Sequence, residues 1–306
     1  MRVELPDPAD DAALDELLTF AGTVGRPRAA TATAYRAVAS DATVIQPFVL
    51  RDPAGELVAA ALATVSPSIG NDQVQLNGFL RPGLVPEFAA VLDSVATWAH
   101  ARRAQCVTAH ISDPDDAQLD AWRAARFEQV GERQRVIRTV GDDDHLAHGA
   151  IDGAQIVELR DHPELESGAE ALWRQSHQDV PSALRFDTAD LPLLREEIGL
   201  APDEPFPTLV LVAVTAASDV VGLAVALRRY PGDRSVVGHR MTATERGWRN
   251  RGVALALKQE LLRRGRTEGV VTFQASNDDG NAPMRAINER LGYQLDYRLV
   301  LMRRDL

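Results

Sequence analysis

The chain has 306 residues, room for two domains at roughly 150 residues each. Hydrophobic residues make up 45% and charged residues 25%, which excludes a disordered or fibrous chain. The net charge of −11 argues against a general nucleic-acid binder, whose surface must be basic, and no apolar run reaches the roughly 18 residues of a membrane helix. The start, Met1-Arg2-Val3-Glu4, lacks the basic-then-apolar pattern of an export signal. A single cysteine, Cys106, leaves no intrachain disulfide and no cysteine metal cluster. These features predict a cytosolic enzyme or binding protein.

In chain order, a short strand at 2–4 precedes a helix at about 12–21, where Leu14, Leu17 and Leu18 fall at helical spacing. A second helix is expected near 29–39. Apolar, β-branched runs at 44–50 and 57–65 flank the turn signal Asp52-Pro53-Ala54-Gly55 and predict a hairpin. A strand at 73–80, a helix at about 85–103, a strand at 106–111, a helix at about 116–125 and a strand at 128–139 complete the first half. The second half repeats that order: strand 155–160, helix 163–178, the loop His177-Gln178-Asp179-Val180-Pro181, a helical stretch near 191–198, a hairpin of 209–214 and 220–229, strand 235–244, helix 252–267, strand 270–275, helix 282–291 and strand 294–302. The polar stretch beginning Gly141-Asp142-Asp143-Asp144 is the natural linker, giving domains at 1–145 and 154–306 joined by 146–153.

Charge is uneven along this plan. Residues 1–150 carry 13 Arg against 21 acids, whereas residues 240–266 hold eight cations (Arg240, Arg246, Arg249, Arg251, Lys258, Arg263, Arg264 and Arg266) against Glu245 and Glu260. Such a local excess marks either a small-polyanion site or a solvated basic helix face. Lys258 is the chain's one lysine, read here as a composition bias toward arginine.

The most informative stretch is Thr242-Ala243-Thr244-Glu245-Arg246-Gly247-Trp248-Arg249-Asn250-Arg251-Gly252-Val253-Ala254, between an apolar strand and a helix with Val253, Leu257 and Leu261 on one face. A strand, a glycine-containing loop and a helix start make an anion cradle, since free N–H groups and the positive helix end point at one spot. Gly252 as an ordinary loop glycine is the plain alternative. Neither the P-loop nor the dinucleotide glycine pattern is present, nor are His-Glu-x-x-His and Gly-x-Ser-x-Gly.

Arg249-Asn250-Arg251-Gly252-Val253-Ala254 resembles the Arg/Gln-x-x-Gly-x-Gly/Ala loop of the GCN5-related N-acetyltransferases (GNATs). The run from Asn281 to Leu291-Gly292-Tyr293 resembles their "Asn, helix, Leu-Gly-aromatic" signature. The resemblance covers about 154–306, and the repeat is similar to the tandem branch with mycothiol synthase-like and Eis-like enzymes. It implies an α/β (α+β) fold of two tandem GNAT-type domains, each a mixed, mostly antiparallel sheet flanked by helices. It also implies acetyl-CoA as cofactor. Met241, Thr242, Ala243 and Thr244 would meet its pantetheine arm at a splay between strands, as in strand addition. Backbone groups of Arg249, Asn250, Arg251, Gly252, Val253 and Ala254 would hold its diphosphate. Asn277, Asn281 and Asn288 would complete the cofactor site, Asn281 serving equally as a helix N-cap. The first half, with Leu80-Arg81-Pro82-Gly83-Leu84-Val85 at the matching loop, departs from the motif and is expected not to bind the cofactor.

Acyl transfer to an amine requires a neutral amine, a polarised carbonyl and a proton for the departing thiolate. The family's frequent helix tyrosine is matched here by Asn288, which cannot supply that proton, and Tyr293 reads as a core aromatic. His239 is the candidate base, or a histidine satisfied by packing, with Glu245 second. Asp179 and Trp173 are candidate acceptor contacts; a solvated loop acid and a core aromatic are the plain alternatives. The expected activity is acetylation of a small-molecule primary amine by a monomer or homodimer that uses neither nucleic acid nor membrane. A cationic acceptor would suit the acidic surface. The alternatives are a mycothiol synthase-like enzyme and a catalytically silent acyl-CoA-binding module.

Overall fold

The computed structural model describes residues 2–24, 32–33, 43–65, 72–81, 83–141, 144–179, 193–198, 209–230 and 233–306. The helix expected near 29–39 and the loop following Asp179 lie largely outside them. The described chain forms two compact units: residues 1–133 with 297–306 in the first, and 134–182 with 191–296 in the second, apart from a short stretch outside the described residues. This departs from the 145/154 division read from the sequence. Each half gives its last strand, or part of it, to the other unit.

The first unit contains β1 (Val3–Glu4), α1 (Asp11–Val24), β2 (Val44–Arg51), β3 (Leu57–Val65), β4 (Gln73–Leu80), α2 (Val85–Ala101), β5 (Cys106–Ser112) and α3 (Asp116–Ala124). Its sheet runs β1-β2-β3-β4-β5-β12, where β12 is Gln294–Asp305. The hairpin forms as its turn chemistry predicts: the Asp52 carboxylate accepts from the N–H groups of Ala54 and Glu56, and Gly55 takes φ 88°. Leu14, Leu17, Leu18 and Ala21 give α1 an apolar stripe that is buried against one sheet face. On the other face, α2 and α3 bury Phe88, Val91, Leu92, Val95 and Trp122. β4 and β5 are parallel, and their ladder ends at Leu76 and Ala109. Residues Leu299–Asp305 of β12 then pair antiparallel with β5, from Ser112 back to Cys106.

The second unit contains β7 (Ala154–Glu158), α4 (Glu166–Asp179), a four-residue helix (Leu194–Glu197), β8 (Leu209–Thr215), β9 (Val220–Tyr230), β10 (Asp233–Thr244), α5 (Val253–Thr267), β11 (Thr272–Asp278) and α6 (Ala282–Arg290). Its sheet runs β6-β11-β10-β9-β8-β7, with residues from 134 onward of β6 (Glu128–Thr139) belonging here. One face packs on α5 through Val253, Leu257, Leu261 and Phe273, the other on α4 through Leu172, Trp173, Val212 and Val225. Gly222 on β9 lets α5 sit close: a Cβ there would stand 2.6 Å from Val253 and 2.8 Å from Leu257. No described helix is long and apolar enough to cross a membrane.

Candidate functional site

The site grows from the way β10 leaves its neighbours. β10 and β11 are parallel only at Val236–Thr272, Val237–Phe273 and Gly238–Gln274. Beyond Gly238, β10 stays paired with β9 as far as Thr244, and a register irregularity falls between His239 and Met241. Met241, Thr242, Ala243 and Thr244 therefore lie along the splay that the sequence reading expected. Met241 and Ala243 turn their side chains into the α4-facing core. What they can offer a ligand is backbone.

The loop after β10 opens with a tight turn. Glu245, whose Oε2 accepts from the Gly247 N–H at 2.7 Å, caps it, so this carboxylate is a turn element and not a loose base. Asn250 takes φ 62° and Gly252 takes φ 80° as the N-cap of α5, with no side chain capping that end. Open space surrounds the missing Gly252 Cβ. The Ala256 N–H donates to the Gly252 carbonyl, but the N–H groups of Asn250, Arg251, Gly252, Val253, Ala254 and Leu255 have no acceptor among the described residues. Such a row of unpaired amides at a helix start is an anion cradle.

Its arginines are arranged in two ways. Arg251 stacks on Trp248, its guanidinium carbon 4.9 Å from the ring centroid. Arg246 grips Asp179 through Nε at 3.1 Å and Nη2 at 2.6 Å, and Arg249 donates to the same carboxylate and to the Thr244 carbonyl at 3.3 Å. These two guanidiniums hold Asp179 down to about 2, so it stays charged. Asp179, at the end of α4, ties that helix to the cradle rather than presenting a free acid. Arg263 and Arg264 are similarly engaged by Glu260. The cationic excess of 240–266 is thus partly neutralised within the fold.

Behind the cradle lies a polar cluster. The His239 imidazole is held well below its usual range by burial and then by the Lys258 and Arg135 charges. His239 Nε2 and the Tyr293 hydroxyl share a hydrogen bond at 2.5 Å, and Nδ1 has no partner among the described residues. Lys258 on α5 is 1% exposed, its Nζ 5.0 Å from the Tyr293 ring centroid, and burial pushes its ammonium down to about 7. Arg135 donates to Ser276 at 3.0 Å and to Gln274. Asn288 on α6 is buried with both amide atoms unpartnered, and Asn277 on β11 is buried with an unpartnered Nδ2. Unsatisfied amides of this kind are costly unless water or a ligand completes them. Asn281 caps α6, its side chain accepting from the Met284 N–H at 3.3 Å.

One placement departs from expectation. Trp173, expected to line an acceptor site, is wholly buried in the α4-facing core, because α4 packs that face of its helix against β8 and β9. Tyr293, read as a core aromatic, is buried in the core that α5 faces, and its hydroxyl also shares a hydrogen bond with His239. The contact between Lys258 and Tyr293 escaped the sequence reading, which took the lysine as a composition bias and the tyrosine as a core aromatic.

No family model matches the chain. A curated relative, the L-methionine sulfoximine/L-methionine sulfone acetyltransferase of Pseudomonas aeruginosa, is 32% identical over 88 residues, 28% of this chain and 51% of the relative. The counterpart from Pseudomonas paraeruginosa gives the same figures. The chain thus spans about half the length of the curated relatives it matches. Among solved structures, a tandem GNAT protein from the clavulanic acid biosynthesis pathway aligns over 99% of this chain and 98% of its own, with TM-score 0.74 and 19% identity. A GCN5-related N-acetyltransferase from Sphaerobacter thermophilus aligns over 99% and 95%, with TM-score 0.71 and 20% identity. The chain has the tandem GNAT fold.

Proposed function

We propose that this tandem GNAT-fold chain is an acetyl-CoA-dependent N-acetyltransferase acting on the primary amine of a small molecule, with its chemistry in the second unit. The observation that carries the reading is the row of unpaired amides from Asn250 to Leu255 at the start of α5, beside Arg249 and Arg251. Those groups fit a diphosphate. The unpartnered amides of Asn288 and Asn277, and the edge of β10 past Gly238, fit an extended arm that itself carries amides. When bound, the cofactor supplies an activated thioester carbonyl.

The remaining work falls to the chain. Backbone groups of Met241, Thr242, Ala243 and Thr244 orient the arm along the splay. His239 is the candidate base in this reading, with Nδ1 as the atom that takes the proton, against the burial and cationic neighbours that favour the neutral ring; the hydrogen bond with Tyr293 fixes the ring plane. Asp179 holds Arg246 and Arg249 at the rim of the cradle. The first unit, in this reading, binds no cofactor.

Free-thiol release from acetyl-CoA across a panel of small primary amines tests the reading. The named substrates of the curated relatives place L-methionine sulfone and similar amino acids first in that panel. At least one amine should release thiol stoichiometrically with its acetylation. Tight CoA binding with no thiol released by any amine would replace the enzyme with a silent acyl-CoA-binding module.

A further inference from the structure

Arg246 puts Nε and Nη2, the forked edge of its guanidinium, on the Asp179 carboxylate, and Arg249 adds Nη2 to the same carboxylate and Nε to the Thr244 carbonyl. Only Nη1 of each has no acceptor among the described residues. Two guanidiniums converging on one anion is also how arginines hold a phosphate. Asp179 fills that anion's place, and it comes from another element, as the last residue of α4. The clasp faces water: the Arg246 and Arg249 side chains are 59% and 45% exposed, against 19% for Asp179. Ion pairs so exposed are weak and exchange readily. A diphosphate on the amides of 250–255 would bring more negative charge than one carboxylate, beside Arg249. The end of α4 depends on the clasp in turn. A carboxylate there faces the negative end of the helix dipole, and the one basic residue of that turn is His177. The two guanidiniums offset this repulsion.

We propose that Arg246 and Arg249 are phosphate ligands held in reserve by Asp179: the diphosphate of CoA takes them over, and the last turn of α4 loosens as they leave. The assignment rests on the acetyl-CoA reading above. Three hydrogen bonds to a carboxylate are exchanged for bonds to phosphate oxygens, and no covalent step is involved. Arg246, four residues ahead of the first unpaired amide and outside the motif that carries the resemblance, becomes a cofactor ligand. Occupancy at the start of α5 is thereby reported to the end of α4. By linkage, whatever loosens that end of α4 favours cofactor binding by the same factor.

Hydrogen exchange at the amides of 176–179, in the full chain with and without CoA, tests the proposal. In wild type these amides should lose protection when CoA binds, and 3′-dephospho-CoA, which keeps the diphosphate, should have the same effect. In Asp179→Asn they should exchange fast from the start and ignore CoA. With no carboxylate to displace, that variant should bind CoA about threefold to tenfold more tightly by calorimetry, the scale of two exposed ion pairs. Arg246→Gln should weaken binding by a similar factor, and adding it to Asp179→Asn should cancel most of the gain. A clasp that only braces the fold gives the opposite signs: 176–179 stay protected in wild type with CoA bound, and Asp179→Asn binds CoA no better or worse than wild type does. Either result overturns the assignment and leaves the acetyl-transfer reading standing. Release by CoA but not by its dephospho form also overturns it, because the contact then belongs to the 3′-phosphate. Failure of the wild-type chain to bind CoA overturns both. The wild-type comparison needs no variant, so it decides the matter even if Asp179→Asn fails to fold.

Discussion

In the first unit the Phe127 N–H donates to the Trp122 carbonyl at 3.0 Å, and in the second the Tyr293 N–H donates to the Asn288 carbonyl at 3.0 Å. Arg126 and Gly292, just before the aromatic residues, both take left-handed backbone, with φ 64° and 75°. The two helix ends are the same device with different side chains. In the first unit Phe88, Trp122 and Phe127 stack edge to face, with centroids 5.2 and 4.9 Å apart, and fill the space beside β4. A Cβ on Gly78, beyond the last β4–β5 rung, would stand 2.6 Å from Phe88. In the second unit the matching positions are an unpartnered amide and a hydroxyl bound to histidine. One copy fills the gap with aromatic side chains, and the other leaves polar groups there.

The largest effect that sharpens this contrast is electrostatic. Lys258 titrates at about 7 in the fold against 10.5 ordinarily, so between those values the unfolded chain carries a proton that the folded chain does not. Stability therefore rises with pH through this window, by on the order of 5 kcal/mol at about 1.4 kcal/mol per unit. Urea unfolding near pH 7 and near pH 10 should show that Lys258→Met removes most of the rise. Next comes the aromatic plug. Trp122→Ala should cost about 3–5 kcal/mol of stability, read by the same unfolding curves, and leave CoA affinity within about twofold. The converse change, Asn288→Trp, builds the plug into the second unit. Calorimetry should then find CoA affinity reduced by about 100-fold, or roughly 2.7 kcal/mol, in a chain that still melts cooperatively.

How much of this was legible in the sequence follows the range of the interactions. The hairpin at Asp52–Gly55, the stripe of α1 and the cap of α6 by Asn281 are local, and their residues announce them. The loop from Arg249 to Gly252 is equally local, and its resemblance to a known motif adds the expected ligand. Asp179 was visible as an acid after a helix, but its capture by Arg246 and Arg249 joins residues far apart in the chain and inverts its role. The same holds for His239 and Tyr293, and for the burial of Trp173 and Lys258. The compact units differ from the 145/154 division because residues 297–306 continue the pattern of the second half while pairing with β5 of the first unit. Hydrophobic periodicity states that a strand exists; it does not state which neighbour the strand chooses.

The contrast between the two loops is tested most directly by amide hydrogen exchange with and without CoA. Residues 250–255 should gain protection on binding, because their N–H groups acquire the acceptors they lack in the fold, while residues 83–88 should exchange as before. Protection at 83–88, or none at 250–255 with CoA demonstrably bound, would contradict the account.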